Sequence, residues 1–319
     1  MISKQICKKS AFTIELLLAL LTAKTTDWYS YGTGYIAMHL VTLMDYSDRE
    51  SLVLCKSWIA LAKRQHENAN ITIFSQHDIS SIRSFARRYT NIYFETLPIS
   101  SEIRKIRNGC IHLPTQDLQL ALWDRTRVLG IHKYIYLDAD ALIVDTLDDW
   151  WNIIDDKPYI AIPELLQEKG VPLLNAGVYS YSSRSNFITT KKLVSQYYRD
   201  GSTVKIQAGQ QGLINSYFQY IHYDFTHQRI GHEYNVLAKY SDIRQVSDDG
   251  IIIYSGSYPF AKKVLQYSGL AEKEWGSNWM WWGLPKRARI IHSFGVTGNK
   301  FWDLPECNTL WSYCCALVR

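Results

Sequence analysis

The regular alternation of apolar runs with amphipathic stretches between residues 35 and 140 is the feature that most restricts the fold. Runs rich in Val, Ile, Tyr and Phe predict β-strands, and stretches with a period near 3.6 predict helices between them. The predicted strands cover residues 35–43, 71–75, 91–97 and 133–140, and the predicted helices cover residues 48–65, 80–89 and 118–130. Strand–helix–strand alternation predicts a doubly wound α/β fold with a mostly parallel sheet.

The second half of the chain is less regular. Residues 159–164 and 175–182 predict strands, residues 209–219 predict the start of a helix, and residues 288–295 predict a strand that enters a loop. No repeat or low-complexity linker separates the halves. We therefore expect one two-part domain over residues 27–319, with a nucleotide-binding half to about residue 150 and an acceptor-side half after it.

The N-terminus has a targeting-like pattern. Lys4, Lys8 and Lys9 precede the mostly apolar run AFTIELLLALLTA, which predicts a signal peptide or short anchor over residues 1–26. This favours the secretory pathway, with the Golgi lumen as the expected location, and leaves membrane association through the N-terminus open. The run is short and contains Glu15, so an amphipathic helix of a cytoplasmic protein is the alternative.

The composition argues against nucleic-acid binding and decides little else about function. The net charge is +5 over 319 residues, and the basic residues are scattered, which is typical of a solvated surface. The 11 Trp and 22 Tyr favour sugar binding only weakly, because aromatic residues also fill cores. Three of the six cysteines lie near the C-terminus, where either a disulfide or buried thiols would be consistent with the sequence.

Two aspartates follow the most strand-like run in the chain, at Asp138 and Asp140 in the segment KYIYLDADALIV. Residues two apart in an extended segment point to the same side, so both carboxylates are expected to converge beyond the strand end. Like charges this close repel unless a cation lies between them. Oxygen ligands suit Mn²⁺ or Mg²⁺, and the motif therefore predicts a divalent-metal site.

A second set of candidates lies far downstream in RIIHSFGVTGNKFW. His292 follows a short apolar run and supplies a nitrogen ligand that Mn²⁺ accepts. Gly295 and Lys300 belong to a glycine-containing loop that ends in a cation. Backbone N–H groups and a lysine of this kind can hold a diphosphate.

Together these blocks resemble the glycogenin-like glycosyltransferases, family 8 of the retaining sugar-nucleotide transferases. The resemblance covers roughly residues 35–302 and rests on VTLMDY, WDRTRV, YIYLDADALIV, AIPE, LLNAGVYSY, GQQGLIN and HSFGVTGNKFW. It implies a single GT-A type domain, with a Rossmann-like, mostly parallel sheet, helices on both faces and a smaller mixed acceptor-side region. It also implies Mn²⁺ or Mg²⁺ as cofactor and a UDP-sugar as donor.

The resemblance implies a role for each matched position. Catalytic roles near the transferred sugar fall to Gln210, Glu164 and Arg125, and metal ligation falls to Asp138, Asp140 and His292. Donor contacts fall to Thr42, Leu43, Tyr46, Asp138, Ala139, Asp140, Asn175, Ala176, Gly177, Gln211, Gly295 and Lys300.

Three positions depart from the family pattern. Gln210 stands where the family has an aspartate, which leaves sugar choice and activity open. Arg125 stands where the family has a lysine, which keeps the charge but alters the geometry. The last block is two residues longer than usual and has Phe301 in place of proline.

The expected function is metal-dependent, retaining transfer of a hexose-type sugar from a UDP-sugar to a glycan, lipid or protein acceptor. Two alternatives remain open: a self-glucosylating primer protein that uses Tyr240, and a catalytically impaired sugar-nucleotide-binding protein. A nicotinamide oxidoreductase is a poorer match, because no Gly-x-Gly-x-x-Gly loop follows the first strand. The sequence leaves a homodimer open.

Overall fold

The structure is a computed structural model that describes residues 37–44, 46, 48–97, 114–154, 159–168, 171–182, 232–238, 241–246, 252–256, 286–293 and 300–319. All of these residues lie in one compact unit, Ala37–Arg319. The described strands are β1 (His39–Leu43), β2 (Asn70–Ser75), β3 (Ile92–Thr96), β4 (Lys133–Leu137), β5 (Ala141–Ile143), β6 (Tyr159–Glu168), β7 (Val171–Ser182), β8 (Val236–Leu237), β9 (Ser241–Val246), β10 (Ile252–Gly256), β11 (Lys286–Arg287) and β12 (Ile290–His292). The described helices are α1 (Arg49–Gln65), α2 (Ser80–Ala86), α3 (Pro114–Val128), α4 (Asp148–Ile153) and α5 (Asn308–Leu317), with short 3-10 turns at His232–Tyr234 and Pro305–Cys307.

A six-stranded sheet organises the unit, in the order β3-β2-β1-β4-β7-β6. The strands β3, β2, β1 and β4 run parallel, whereas β7 runs antiparallel to both β4 and β6. The prediction of a mostly parallel α/β sheet is therefore confirmed. Two three-stranded sheets accompany it, in the orders β5-β12-β8 and β11-β10-β9.

Local sequence explains the first helix. The Asp48 carboxylate accepts a hydrogen bond from the Ser51 N–H at 2.7 Å and caps α1. Lys63 and Arg64 lie in its last turn, where the helix dipole favours cations. The helix buries Trp58 and Ile59 and packs against β5, α2 and α5.

The helix α3 begins earlier than predicted, at Pro114 rather than at residue 118. Proline suits the first turn of a helix, because the N–H that it lacks would have no partner there. Its end agrees with the prediction, since Gly130 adopts a positive φ of 71° just beyond it. Ile131 donates to the Thr126 carbonyl at 2.8 Å and Gly130 donates to the Arg127 carbonyl at 3.0 Å, the two hydrogen bonds of a Schellman cap.

The structure bears in part on the expectations about membranes and thiols. In the part of the chain that it describes, no helix has both the length and the apolarity needed to cross a bilayer. The predicted targeting segment at residues 1–26 lies outside that part. Near the C-terminus, Cys314 is a buried free thiol and Cys315 is a half-buried one.

Candidate active site at the carboxyl end of strand β4

The two aspartates lie in a turn rather than in a strand. The strand β4 ends at Leu137, whereas the sequence predicted a strand through Asp140. The Asp138 N–H donates to the Gly177 carbonyl at 2.7 Å, and the Ala141 N–H donates to the Asp138 carbonyl at 2.9 Å. The second bond closes the turn that leads into β5. The carboxylates therefore converge because of this turn, and the alternation of an extended chain is not the cause.

A short strand brings the imidazole to the same place. The strand β12 pairs antiparallel with β5, so that His292 lies opposite Ala141. The next residue extends this pairing, since the Ser293 N–H donates to the Asp140 carbonyl at 3.0 Å. As a result His292 Nε2 lies 3.4 Å from Asp140 Oδ1 and 4.0 Å from Asp138 Oδ2.

The three side chains fit a divalent cation. Asp138, Asp140 and His292 each offer one ligand atom, and these atoms lie within 4.8 Å of one another. Donor atoms about 2.0–2.2 Å from one ion lie about 3–4 Å apart, which matches the observed spacing. Two carboxylates and one imidazole suit Mn²⁺ well. The side chains of Asp138 and Asp140 are 32% and 15% exposed, so a ligand can reach them.

Neighbouring polar groups orient both carboxylates. The Tyr136 hydroxyl donates to Asp138 Oδ1 at 2.7 Å, and Asp138 Oδ2 is the oxygen that faces His292. The Lys300 ammonium forms an ion pair with Asp140. The Ser293 hydroxyl also lies 3.3 Å from Asp140 Oδ2. One oxygen of each carboxylate is therefore occupied, and the other oxygen faces the imidazole.

The electrostatics of the site leave room for further positive charge. Burial and the adjacent charge of Asp140 raise the pKa of Asp138 above its ordinary value. Burial would also raise the pKa of Asp140, but in the metal-free site the hydrogen bond and the charge of a protonated His292, together with the charge of Lys300, hold it well below its usual range. The existing cations therefore stabilise one carboxylate more than the other. A divalent ion would satisfy both.

Gly177 lies where the strand β7 passes the site. A methyl group at this position would lie 2.4 Å from Asp138 Oδ2 and 2.8 Å from His292 Cε1. Real side chains do not approach this closely, so only glycine leaves the carboxylate and the imidazole in place. The sugar contact that the resemblance implied for Gly177 stays a prediction, and the structure adds that this glycine packs against two of the candidate metal ligands.

Four other predicted site residues lie on β1, shortly after β1 and on α3. Thr42 and Leu43 are buried at the carboxyl end of β1, which is parallel to β4 and so ends at the same edge of the sheet. Within the described residues the Thr42 hydroxyl has no hydrogen-bond partner. Tyr46 is partly buried beside the core. Arg125 of α3 forms an ion pair with Glu95 of β3 at 2.8 Å, so its charge is already matched there.

The remaining predictions can be placed only in part. Asn175 is buried, and its side-chain oxygen accepts the Gly177 N–H at 2.8 Å, which makes it a support for the β7 backbone at the site. Ala176 is buried beside it, and Ala139 lies in the turn between the aspartates. Glu164 lies in β6. Gln210, Gln211, Tyr240 and Gly295 lie outside the described residues, as does the predicted helix at 209–219.

Sequence reasoning missed three residues of the site, namely Asn235, Tyr136 and Ser293. Asn235 directly precedes β8, which runs parallel to β12, and its Oδ1 lies 3.0 Å from His292 Nδ1. A polar residue before a two-residue strand gives no signal in a sequence. Tyr136 and Ser293 could have been found, because Ser293 directly follows His292 and Tyr136 lies two residues before Asp138.

Solved glycosyltransferases share the architecture. The galactosyltransferase LgtC, solved with donor and acceptor sugar analogs, matches with a TM-score of 0.58 at 13% identity, over 88% of this chain and 95% of LgtC. The glycosyltransferase GlyE of Streptococcus pneumoniae matches with a TM-score of 0.53 at 15% identity, over 89% of this chain and 60% of GlyE. The chain has the GT-A fold.

The GT-A fold places the candidate site where such sheets bind ligands, at the carboxyl ends of their strands. Sequence comparison adds nothing to this result, since no protein-family model matches the chain and no curated protein sequence is significantly similar to it. At identities of 13–15% the structural similarity shows a common fold alone, and function has to be argued from the residues of the site.

Proposed function

We propose that this chain is a metal-dependent, retaining glycosyltransferase that moves a hexose-type sugar from a UDP-sugar to a glycan, lipid or protein acceptor. The observation that carries the proposal is the convergence of Asp138, Asp140 and His292 at one edge of a GT-A sheet. These ligands come from a turn and from a strand far downstream, so their meeting is a property of the fold. The likeness to family 8 transferases in the surrounding motifs supports the choice of a UDP-sugar.

The site residues have distinct tasks in this proposal. Asp138, Asp140 and His292 would hold the divalent ion, and the Tyr136 hydroxyl occupies one oxygen of Asp138 so that the other faces His292. A divalent ion bound there would supply positive charge to neutralise the departing diphosphate. Lys300 lies beside Asp140 and adds a second positive charge at the same place.

The proposed transfer takes place on one face of the sugar ring. The bond from the anomeric carbon to the diphosphate oxygen breaks, and a bond to the acceptor hydroxyl oxygen forms on the same side. The hydroxyl proton passes to the departing phosphate oxygen, so charge and atoms balance. Gln210 is an amide and cannot serve as a carboxylate nucleophile, and we assign it the task of orienting the sugar.

We keep the secretory pathway as the proposed location, on the strength of the N-terminal pattern.

The test is release of UDP from a panel of UDP-sugars, with and without Mn²⁺. The panel contains glucose, galactose, N-acetylglucosamine, xylose and glucuronic acid donors. We expect release with at least one donor, its loss on chelation, and recovery when Mn²⁺ is restored. Asp140→Asn should lower the rate about a hundredfold or more, because it removes a charged ligand.

The matched control is Asp149→Asn. The Asp149 carboxylate is 75% exposed and pairs with Arg289 at 3.0 Å, so its loss should leave the rate almost unchanged. Activity that is indifferent to chelator would overturn the metal part of the proposal. UDP-sugar binding without turnover, for every donor and acceptor tried, would favour the impaired binding protein instead.

A further inference from the structure

We infer that Asn235 is a positioning residue that selects the tautomer of His292 and thereby makes this imidazole a metal ligand. The inference rests on the proposed metal site and adds a residue that neither motif nor spacing identified. Asn235 and His292 are both buried, at 4% and 3% exposure, and their contact of 3.0 Å joins Asn235 Oδ1 to His292 Nδ1. An amide oxygen can only accept, so this nitrogen has to carry the proton.

The consequence lies at the other ring nitrogen. A neutral imidazole with its proton on Nδ1 has a lone pair on Nε2, and Nε2 faces the carboxylates of Asp138 and Asp140. Lone pairs of the two carboxylates and of Nε2 then point at one another. This arrangement is favourable only when a cation lies between them. With the opposite tautomer, Nε2 would donate a hydrogen bond to Asp140 and would have no lone pair for a metal. The choice of tautomer therefore decides whether the third ligand exists.

Strand pairing positions the two residues of this contact. The strand β8 runs parallel to β12, with Val236 opposite Ile291 and Leu237 opposite His292. Asn235 directly precedes this pairing, and the neighbouring Tyr234 is buried against Trp150 with their ring centroids 5.5 Å apart. The amide thus belongs to a packed segment. Partners of this kind usually change metal affinity 10–100-fold when they are lost.

The experiment measures Mn²⁺ affinity directly, by the electron paramagnetic resonance signal of the free ion, with Mn²⁺ alone and no sugar nucleotide. Asn235→Leu removes the acceptor while keeping similar volume, and it should weaken binding about 10–100-fold. Asn235→Asp keeps an acceptor facing Nδ1 and should retain the wild-type affinity within about threefold. This rescue distinguishes an acceptor role from simple packing, since both substitutions change the same buried position.

A double-mutant cycle isolates the coupling. In a His292→Gln background, Asn235→Leu should have almost no further effect on Mn²⁺ affinity, because its effect passes through the imidazole. An equal loss in both backgrounds would overturn the inference, as would unchanged affinity in Asn235→Leu alone. The two proposals fail differently. If the wild type binds Mn²⁺ no better than Asp138→Asn, the metal site itself is wrong.

A measurement on the wild type covers the case in which Asn235→Leu does not fold. Histidine labelled with ¹⁵N reports which ring nitrogen carries the proton, and the His292 signals are assigned by their absence in His292→Gln. At a pH where the ring is neutral, the inference expects the proton on Nδ1. A proton on Nε2 in the metal-free protein would overturn it.

Discussion

At the scale of single residues, the site depends on one missing side chain. Gly177→Ala would place a methyl carbon 2.4 Å from Asp138 Oδ2, so either the carboxylate or the β7 backbone has to move. We expect Mn²⁺ affinity to fall by about tenfold or more and the protein to lose about 1–3 kcal/mol of stability from overpacking. Titration with Mn²⁺ and thermal unfolding of the metal-free protein measure the two effects.

The control for this substitution is Val178→Ile, on the same strand. Val178 is buried and adjacent, and successive strand residues face opposite sides of the sheet. Its extra methylene should therefore also lower the melting temperature, while Mn²⁺ affinity stays near the wild-type value. Equal losses of affinity in both variants would show that the sheet as a whole is sensitive, and that Gly177 has no special position.

A second residue-scale prediction concerns a hydroxyl group. Tyr136→Phe removes the 2.7 Å hydrogen bond to Asp138 Oδ1 but keeps the ring, which stacks on Tyr179 with centroids 4.8 Å apart. A hydrogen bond to a charged group contributes about 1.5–3 kcal/mol, so Mn²⁺ affinity should fall by about tenfold or more. Tyr134→Phe, two residues earlier on β4, removes a buried hydroxyl away from the aspartates and should leave the affinity unchanged.

At the scale of elements, the sequence predicted what local pattern can encode. The strand β4, the helix α1 and the end of α3 follow from a β-rich run, an acidic cap and a glycine. The strands β8 and β12 have only two and three residues, too few for a periodic signal. Their pairing decides where His292 and Asn235 lie. The sequence could therefore offer His292 as a candidate ligand, but local pattern could predict neither its meeting with the aspartates nor its contact with Asn235.

The histidine at the start of β1 gives a prediction about how stability depends on pH. His39 begins β1, and its Nε2 lies 2.8 Å from the Thr72 hydroxyl of β2. Burial lowers the pKa of His39 to about 4, whereas the unfolded value is near 6.5. The unfolded chain therefore takes up the proton first as the pH falls. The neutral ring stabilises the fold fully above pH 6.5, and this contribution is lost as the pH falls from 6.5 towards 4.

The measurement compares melting temperatures of the wild type and His39→Gln from pH 8 to pH 4.5. Glutamine can still bond to the Thr72 hydroxyl but does not titrate in this range. We expect the wild type to lose more stability than the variant below pH 6.5, by at most about 1.4 kcal/mol per pH unit. Parallel curves for the two proteins would contradict the assignment. Carboxylates titrate in both proteins, so their effect on the melting temperature cancels in the comparison.

At the scale of the whole molecule, the candidate metal ligands come from segments about 150 residues apart in the chain. Asp138 and Asp140 follow the central sheet, whereas His292 belongs to the β5-β12-β8 sheet. A cation bound to all three ties these sheets together in the folded state and has no comparable site in the unfolded chain. Mn²⁺ should therefore raise the melting temperature, by an amount equivalent to about 2.7 kcal/mol at a concentration one hundred times Kd.

The dependence on concentration makes this a test of linkage rather than of general salt effects. The shift should grow with the logarithm of Mn²⁺ concentration above Kd, and the Kd obtained should agree with direct titration. Asp140→Asn and His292→Gln should each abolish most of it, whereas Asp149→Asn should not, because that carboxylate is exposed and pairs with Arg289. A shift that persists in Asp140→Asn would mean that the ion acts at another site, and the bridge between the two sheets would have to be abandoned.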